Sequence, residues 1–252
     1  MLILRCAGLA VPIGRVTNMP GTALITGAGG GIGAAIADAL APTHTLLLAG
    51  RPSRHLDDVA ARLGATTWPM DLTDTDGIEA AVEVLAELDV LVHNAGVAFP
   101  GRVAESTAQQ WRDTFEVNVT GAVALTLALL PALRSVRGQV IFINSGSGLN
   151  VSAGLASYSA SKFALRAFAD SLRADEPLLR VTSIHPGRVD TEMQRDLVAY
   201  EGGRYDPAKF LTPATVAGVV AQVVATPPDG HTHEVVIRPR GPLPQSQSQS
   251  QP

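Results

Sequence analysis

Apolar residues run through the chain in short unbroken blocks, separated by longer stretches of mixed character. The blocks TALIT (22–26), HTLLLA (44–49), ATTWPM (65–70), DVLVH (89–93), QVIFINS (139–145), RVTSIH (180–185) and HEVVIR (233–238) have strand length. The first six mostly lack polar–apolar alternation, as strands do when helices cover both faces of their sheet. Helical spacing fills the gaps at 31–41, 54–63, 75–87, 107–134, 156–173 and 213–225, with Pro131 expected in the last turn of its helix or just beyond. Strand–helix alternation of this kind predicts an α/β fold: one doubly wound domain with a seven-stranded, mainly parallel sheet and helices on both faces.

Composition narrows the picture. The 252 residues are 46% hydrophobic and 17% charged, enough apolar material for a sizeable core. A formal net charge of −4 argues against nucleic acid or an acidic membrane surface as partner. Cys6 is the single cysteine, so no internal disulfide forms, and a reducing, cytoplasmic location fits. Arg5 interrupts the mildly apolar start, which offers neither a membrane span nor a convincing signal peptide. Residues 1–18 therefore read as an accessory extension, 19–240 as the domain, and the Ser/Gln-rich 241–252 as a disordered tail.

Candidate chemistry begins where the first strand enters TGAGGGIG, followed by AAIADALA. A strand, a glycine-rich turn and a helix together make a pyrophosphate cradle of the Rossmann type. The second strand ends in AGR, with Arg51 where an acidic residue would hold the ribose of NAD. Arg51, with Arg54 three positions on, suits the 2′-phosphate of NADP instead. Asp71 and Leu72 follow the third strand, where an adenine ring would lie, although Asp71 has an alternative use as a helix cap.

Further residues collect at later strand ends. HNAG (93–96) ends the fourth strand, and Asn118 sits inside an apolar helix, where an amide bonded to a neighbouring carbonyl is the simpler reading. The fifth strand delivers Ser145, thirteen residues before Tyr158, with Lys162 one helical turn beyond the tyrosine. Lys162 is one of only two lysines in the chain. HPGRVDT closes the sixth strand.

Taken together, TGxxxGxG after the first strand, NAG after the fourth, Ser-x12-Tyr-x3-Lys and a late PGxxxT resemble the short-chain dehydrogenase/reductase family over about residues 21–240. The resemblance implies a general acid/base at Tyr158, its activator at Lys162, a substrate-oxygen ligand at Ser145 and a water-holding Asn118. It also implies a cofactor held by Gly27, Gly31, Ile32, Gly33, Arg51, Asp71, Leu72, Asn94, Ala95, Gly96, Tyr158, Lys162, Pro186, Gly187, Val189 and Thr191. A homodimer or homotetramer is the family's common assembly.

The chemistry asks for these residue types. Reducing a carbonyl creates an alkoxide that must gain a proton, and a phenol of pKa about 10 needs a nearby ammonium to act near neutrality. The function expected is NADP(H)-dependent interconversion of a carbonyl and a secondary alcohol, with no metal. The alternative is an NADP(H)-binding regulator without turnover. A small-molecule substrate would meet Asn150, Leu155, Met193 and Tyr200, under a charged segment after Thr191 that reads as a mobile flap. His93 departs from the family pattern and receives no role, Gly30 stands where many NADP-preferring members carry a cation, and His231 and His233 read as surface residues. His185 reads as packing beside Pro186.

Overall fold

A computed structural model describes residues 21–240; the expected extension and tail lie outside the described residues. Seven strands form one sheet: β1 (Gly21–Thr26), β2 (His44–Gly50), β3 (Thr66–Pro69), β4 (Val90–His93), β5 (Gln139–Ile143), β6 (Arg180–Pro186) and β7 (Glu234–Ile237). Their order is β3-β2-β1-β4-β5-β6-β7, and every pairing is parallel, so the sheet is wholly rather than mainly parallel. Eight α-helices cover it: α1 (Gly31–Leu40), α2 (Arg54–Leu63), α3 (Thr75–Val82), α4 (Ala108–Phe115), α5 (Gly121–Val136), α6 (Ala156–Asp175), α7 (Glu192–Tyr200) and α8 (Pro213–Val224).

Continuous apolar strands are explained by two cores, one on each face. Leu24, Leu91, Val140 and Phe142 pack with α3, α5 and α6, while Ala23, Ile25, Val92 and Ile141 pack with α1, α2 and α8. Burying a Leu or Phe fully is worth about 1.5–3 kcal/mol each, so the two cores hold the sheet's carboxyl rim rigid. The order in which strands join the sheet reverses between β1 and β4, the place where open α/β sheets bind ligands.

Several expectations are corrected. Pro131 lies well inside α5 rather than at its end. Its missing N–H frees the carbonyl of Leu127, an exposed residue whose backbone water can serve. The helix expected over 107–134 is one helical run, Ala108–Val136, carrying a π turn at Glu116–Thr120, while the helix expected over 75–87 stops at Val82. Asp74, not Asp71, caps α3 through the Gly77 N–H at 3.0 Å. The segment read as a flap contains a helix, α7, capped by Thr191, with Arg188–Glu201 and Arg195–Asp190 ion pairs beside it, and a helix-bearing segment can still move as a flap.

One helical run, Ala108–Val136, is long and apolar enough to cross a membrane by length and composition. Here Leu125, Leu129 and Leu133 of that run are fully buried in the protein core, facing the sheet.

Candidate active site

The cradle end is built by close approach. Gly27 and Gly31 adopt φ of +65° and +53°, which side-chain-bearing residues rarely tolerate. A Cβ on Gly33 would stand 2.2 Å from the Gly27 carbonyl oxygen, so helix and turn meet only because position 33 is glycine. The N-terminus of α1 has no side-chain cap and no acidic residue in its first turn, leaving its N–H groups and dipole for an anion. Asn94 braces this turn from β4, donating to the carbonyls of Thr26 (3.0 Å) and Gly27 (3.2 Å). Its side chain therefore acts as a bracket, not as part of a cavity wall.

A cavity of about 340 Å³ opens beside the turn, lined by residues that include Gly27, Arg51, Asp71, Leu72, Ala95 and Gly96. Hydrogen bonds from the Thr73 N–H and hydroxyl, both 2.9 Å, hold the Asp71 carboxyl below the usual carboxylate range, and Arg51 adds to that. Arg54 is not in this wall; its side chain is 92% exposed and lies 3.8 Å from Asp58, so Arg51 is the cation at this end.

The second cavity, about 700 Å³, holds the residues expected for chemistry and substrate. Ile32, Ser145, Asn150, Leu155, Tyr158, Pro186, Gly187, Val189, Thr191 and Met193 all line it. Tyr200 does not: α7 turns its ring against Gly154, where a Cβ would lie 3.0 Å from it. Thr191 reaches back toward the cradle, its methyl group 3.4 Å from where a Gly31 Cβ would stand.

Ser145 follows the end of β5 and accepts the Ser147 N–H at 3.1 Å. The Ser145 side chain is near enough to the Tyr158 phenol to act on it, and both residues line this cavity. Burial pushes the Tyr158 phenol above its ordinary value, while Ser145 pulls it back in part. Lys162 Nζ is 5.7 Å from the centre of the tyrosine ring and donates to the Ile143 carbonyl at 3.1 Å. Lys162 is itself buried, and desolvation lowers it to about 8.

Asn118 occupies the π turn and is buried. Its amide accepts from the Val97 N–H (2.8 Å) and donates to the Val97 carbonyl (2.9 Å) and Ser161 (3.0 Å). Ser161 in turn donates to the Tyr158 carbonyl at 2.7 Å, so Asn118 ties the loop after β4 to the tyrosine's own helix. The simpler reading of the amide describes its side chain well.

Histidines fare unevenly. His93 is buried, stacks on Phe142 at 4.9 Å and meets the Thr126 hydroxyl at 2.8 Å; desolvation lowers it to about 3, so it stays neutral. His231 is not a free surface side chain, because its Nε2 takes the Val181 N–H at 2.8 Å. No group of three or more His, Cys, Asp or Glu among the described residues could hold a metal.

Two contributors were missed. His185, read as packing, places Nδ1 3.0 Å from the Ser145 carbonyl, and its Nε2 stands 2.9 Å from Glu234 without hydrogen-bond alignment. Arg238, just past β7, also lines the large cavity. The rule that ligands gather at strand carboxyl ends pointed to both, since each closes a strand at the same rim as Ser145.

Comparisons with known proteins agree with this geometry. The short chain dehydrogenase family model matches residues 21–202. An uncharacterised oxidoreductase of Staphylococcus epidermidis is 31% identical over 227 residues, covering 86% of this chain and 96% of that protein. Glycine betaine reductase of Emericella nidulans is 34% identical over 235 residues, or 86% of this chain but 18% of that protein. A short chain dehydrogenase of Shigella flexneri complexed with NADP superposes with a TM-score of 0.81 at 27% identity, over 87% of this chain and 97% of that one. An alcohol dehydrogenase of Thermococcus sibiricus complexed with 5-hydroxy-NADP gives 0.80 at 26% identity, over 90% and 100%. With its glycine cradle at β1 and its serine, tyrosine and lysine on β5 and α6, the chain belongs to the short-chain dehydrogenase family of oxidoreductases.

Proposed function

We propose that the protein interconverts a carbonyl and a secondary alcohol using NADP(H), with Ser145, Tyr158 and Lys162 as the catalytic set. The observation that carries this reading is that Ser145 and Tyr158 line one 700 Å³ cavity, with the buried Lys162 ammonium 5.7 Å from the centre of the tyrosine ring. The uncapped α1 N-terminus and the glycine contacts at 27 and 33 fit a pyrophosphate, and Arg51 fits a 2′-phosphate. When bound, the reduced nicotinamide supplies a hydride to the carbonyl carbon.

The protein's own residues do the rest. Ser145 donates to the substrate oxygen and, as a neutral hydroxyl, does not compete as a base. Tyr158 gives its phenolic proton to that oxygen as negative charge develops on it. Its raised pKa keeps the phenol protonated at neutral pH, the form that reduction requires. Lys162 opposes the charge left on the phenolate, and its bond to the Ile143 carbonyl fixes where the ammonium sits. The π turn at Asn118 shifts local backbone bonding, as such turns do at functional sites, and supports a water beside Lys162 as the proton's route onward.

Incubation with NADPH and a panel of neutral and charged carbonyls tests the reading. Cofactor-dependent formation of alcohol is expected. Tight NADPH binding with no turnover across the panel contradicts it and favours a regulator.

The cofactor preference has its own test. Arg51→Ala is expected to weaken NADPH binding about tenfold, a modest figure because the side chain is exposed, with NADH affinity nearly unchanged. Equal losses for both cofactors, or none for either, would contradict the 2′-phosphate role.

A further inference from the structure

The large cavity contains two cations, Arg188 and Arg238. Arg188 is neutralised by Glu201, with Nη2 2.5 Å from its carboxylate. Arg238 has no ion pair among the described residues. It is nevertheless held in place: Nη1 donates to the carbonyls of His185 (2.7 Å) and Ile237 (3.2 Å). Two glycines make room for it. A Cβ on Gly187 would stand 3.1 Å from the Arg238 Cδ, and one on Gly146 would stand 3.1 Å from Nη2.

Arg238 is an exposed residue, yet its guanidinium is anchored to backbone where a free surface arginine's would not be. Here both glycines flank the arginine, its Nη1 is tied to backbone, and its Nη2 lies beside the residue after Ser145 with no hydrogen-bond partner among the described residues. A guanidinium fixed in this way is preorganised for a planar anion. With Arg188 and Glu201 cancelling, one positive charge is left over in the wall, which matches a carboxylate better than a doubly charged phosphate monoester.

We propose that the substrate is an oxo acid, its carboxylate seated on Arg238 while its carbonyl oxygen meets Ser145 and Tyr158. This inference rests on the carbonyl-reductase reading for its second half only; the carboxylate seat stands on Arg238 itself.

The test pairs 3-oxobutanoate with its methyl ester as substrates, with NADPH, at neutral pH. Wild-type protein is expected to prefer the acid at least tenfold in kcat/KM. Arg238→Leu should lower the acid's kcat/KM at least tenfold more than the ester's, and Arg238→Lys should restore part of the preference. The ester rate reports that the site is still folded. Equal rates on acid and ester in wild type, or parallel losses in Arg238→Leu, overturn the proposal.

A binding arm separates this inference from the reaction. Calorimetric titration of the NADPH-loaded protein with 3-hydroxybutanoate should show binding weakened about tenfold or more by Arg238→Leu. Such binding with no reduction of any carbonyl keeps the carboxylate seat and removes the reductase reading. Reduction without charge preference does the reverse, and neither binding nor reduction overturns both.

Discussion

Tyr158→Phe lowers kcat for carbonyl reduction by about 10²–10⁴-fold, the range that general acid catalysis contributes, while NADPH affinity stays within about twofold. The substitution removes one oxygen and keeps the ring, which is partly buried in the cavity wall. Ser145 keeps its bond from the Ser147 N–H, so the β5 rim holds its shape. Steady-state kinetics with a saturating carbonyl, beside a direct NADPH titration, reads both quantities. A variant that turns over like wild type removes Tyr158 from the reaction.

Lys162→Met separates activity from stability. Turnover should fall by a similar order, because the ammonium that opposes the phenolate is gone. Stability at pH 7 should rise by about 1–2 kcal/mol. Holding a charged lysine where its pKa falls from 10.5 to about 8 costs about 3 kcal/mol, and leaving the Ile143 carbonyl without a donor returns about 1–2 of that. For a chain of this size the gain corresponds to a Tm higher by about 2–8 °C.

The sign with pH is fixed. Between pH 8 and 10.5 the unfolded chain keeps the lysine proton and the folded protein has lost it, so wild-type stability climbs across that window. The variant lacks this climb, so its advantage, full below pH 8, reverses by pH 10.5, where the wild type is more stable by about 1–2 kcal/mol. Denaturant unfolding of both proteins at pH 7 and pH 10 measures it. In wild type, kcat/KM for reduction should begin to fall near pH 8 as the ammonium deprotonates. A lysine that contributes nothing to this limb, or a variant less stable than wild type at pH 7, contradicts the buried-charge account.

Strand positions were legible because burial on both faces writes itself as unbroken apolar runs, as in TALIT and QVIFI. Local chemistry at the cradle was equally plain, since φ of +65° and +53° at Gly27 and Gly31 demands glycine whatever the neighbours do. Other features depended on distant partners. Nothing near Pro131 in sequence announces that the carbonyl it frees belongs to an exposed residue, so it read as a terminator. The side-chain partners of Asn118 in the π turn are Val97 and Ser161, 21 and 43 positions away.

Charge balance was hidden for the same reason. The pKa of Tyr158 answers first to the phenol's own burial, and burial is a property of the packed domain. His185 and Arg238 sit on different strands and meet Ser145 and Gly146 only across the sheet. Once parallel order placed β5, β6 and β7 side by side, all three carboxyl ends faced one cavity.

Hydride transfer itself is tested most directly by label. NADPH carrying deuterium at both C4 positions is incubated with the protein and the carbonyl panel, and the alcohol is analysed by mass spectrometry. A product one mass unit heavier at the carbinol carbon, formed by wild type and nearly absent with Tyr158→Phe, is the predicted result. Deuterium that stays on the bound cofactor with every carbonyl, or that reaches product equally well without the tyrosine hydroxyl, contradicts the mechanism.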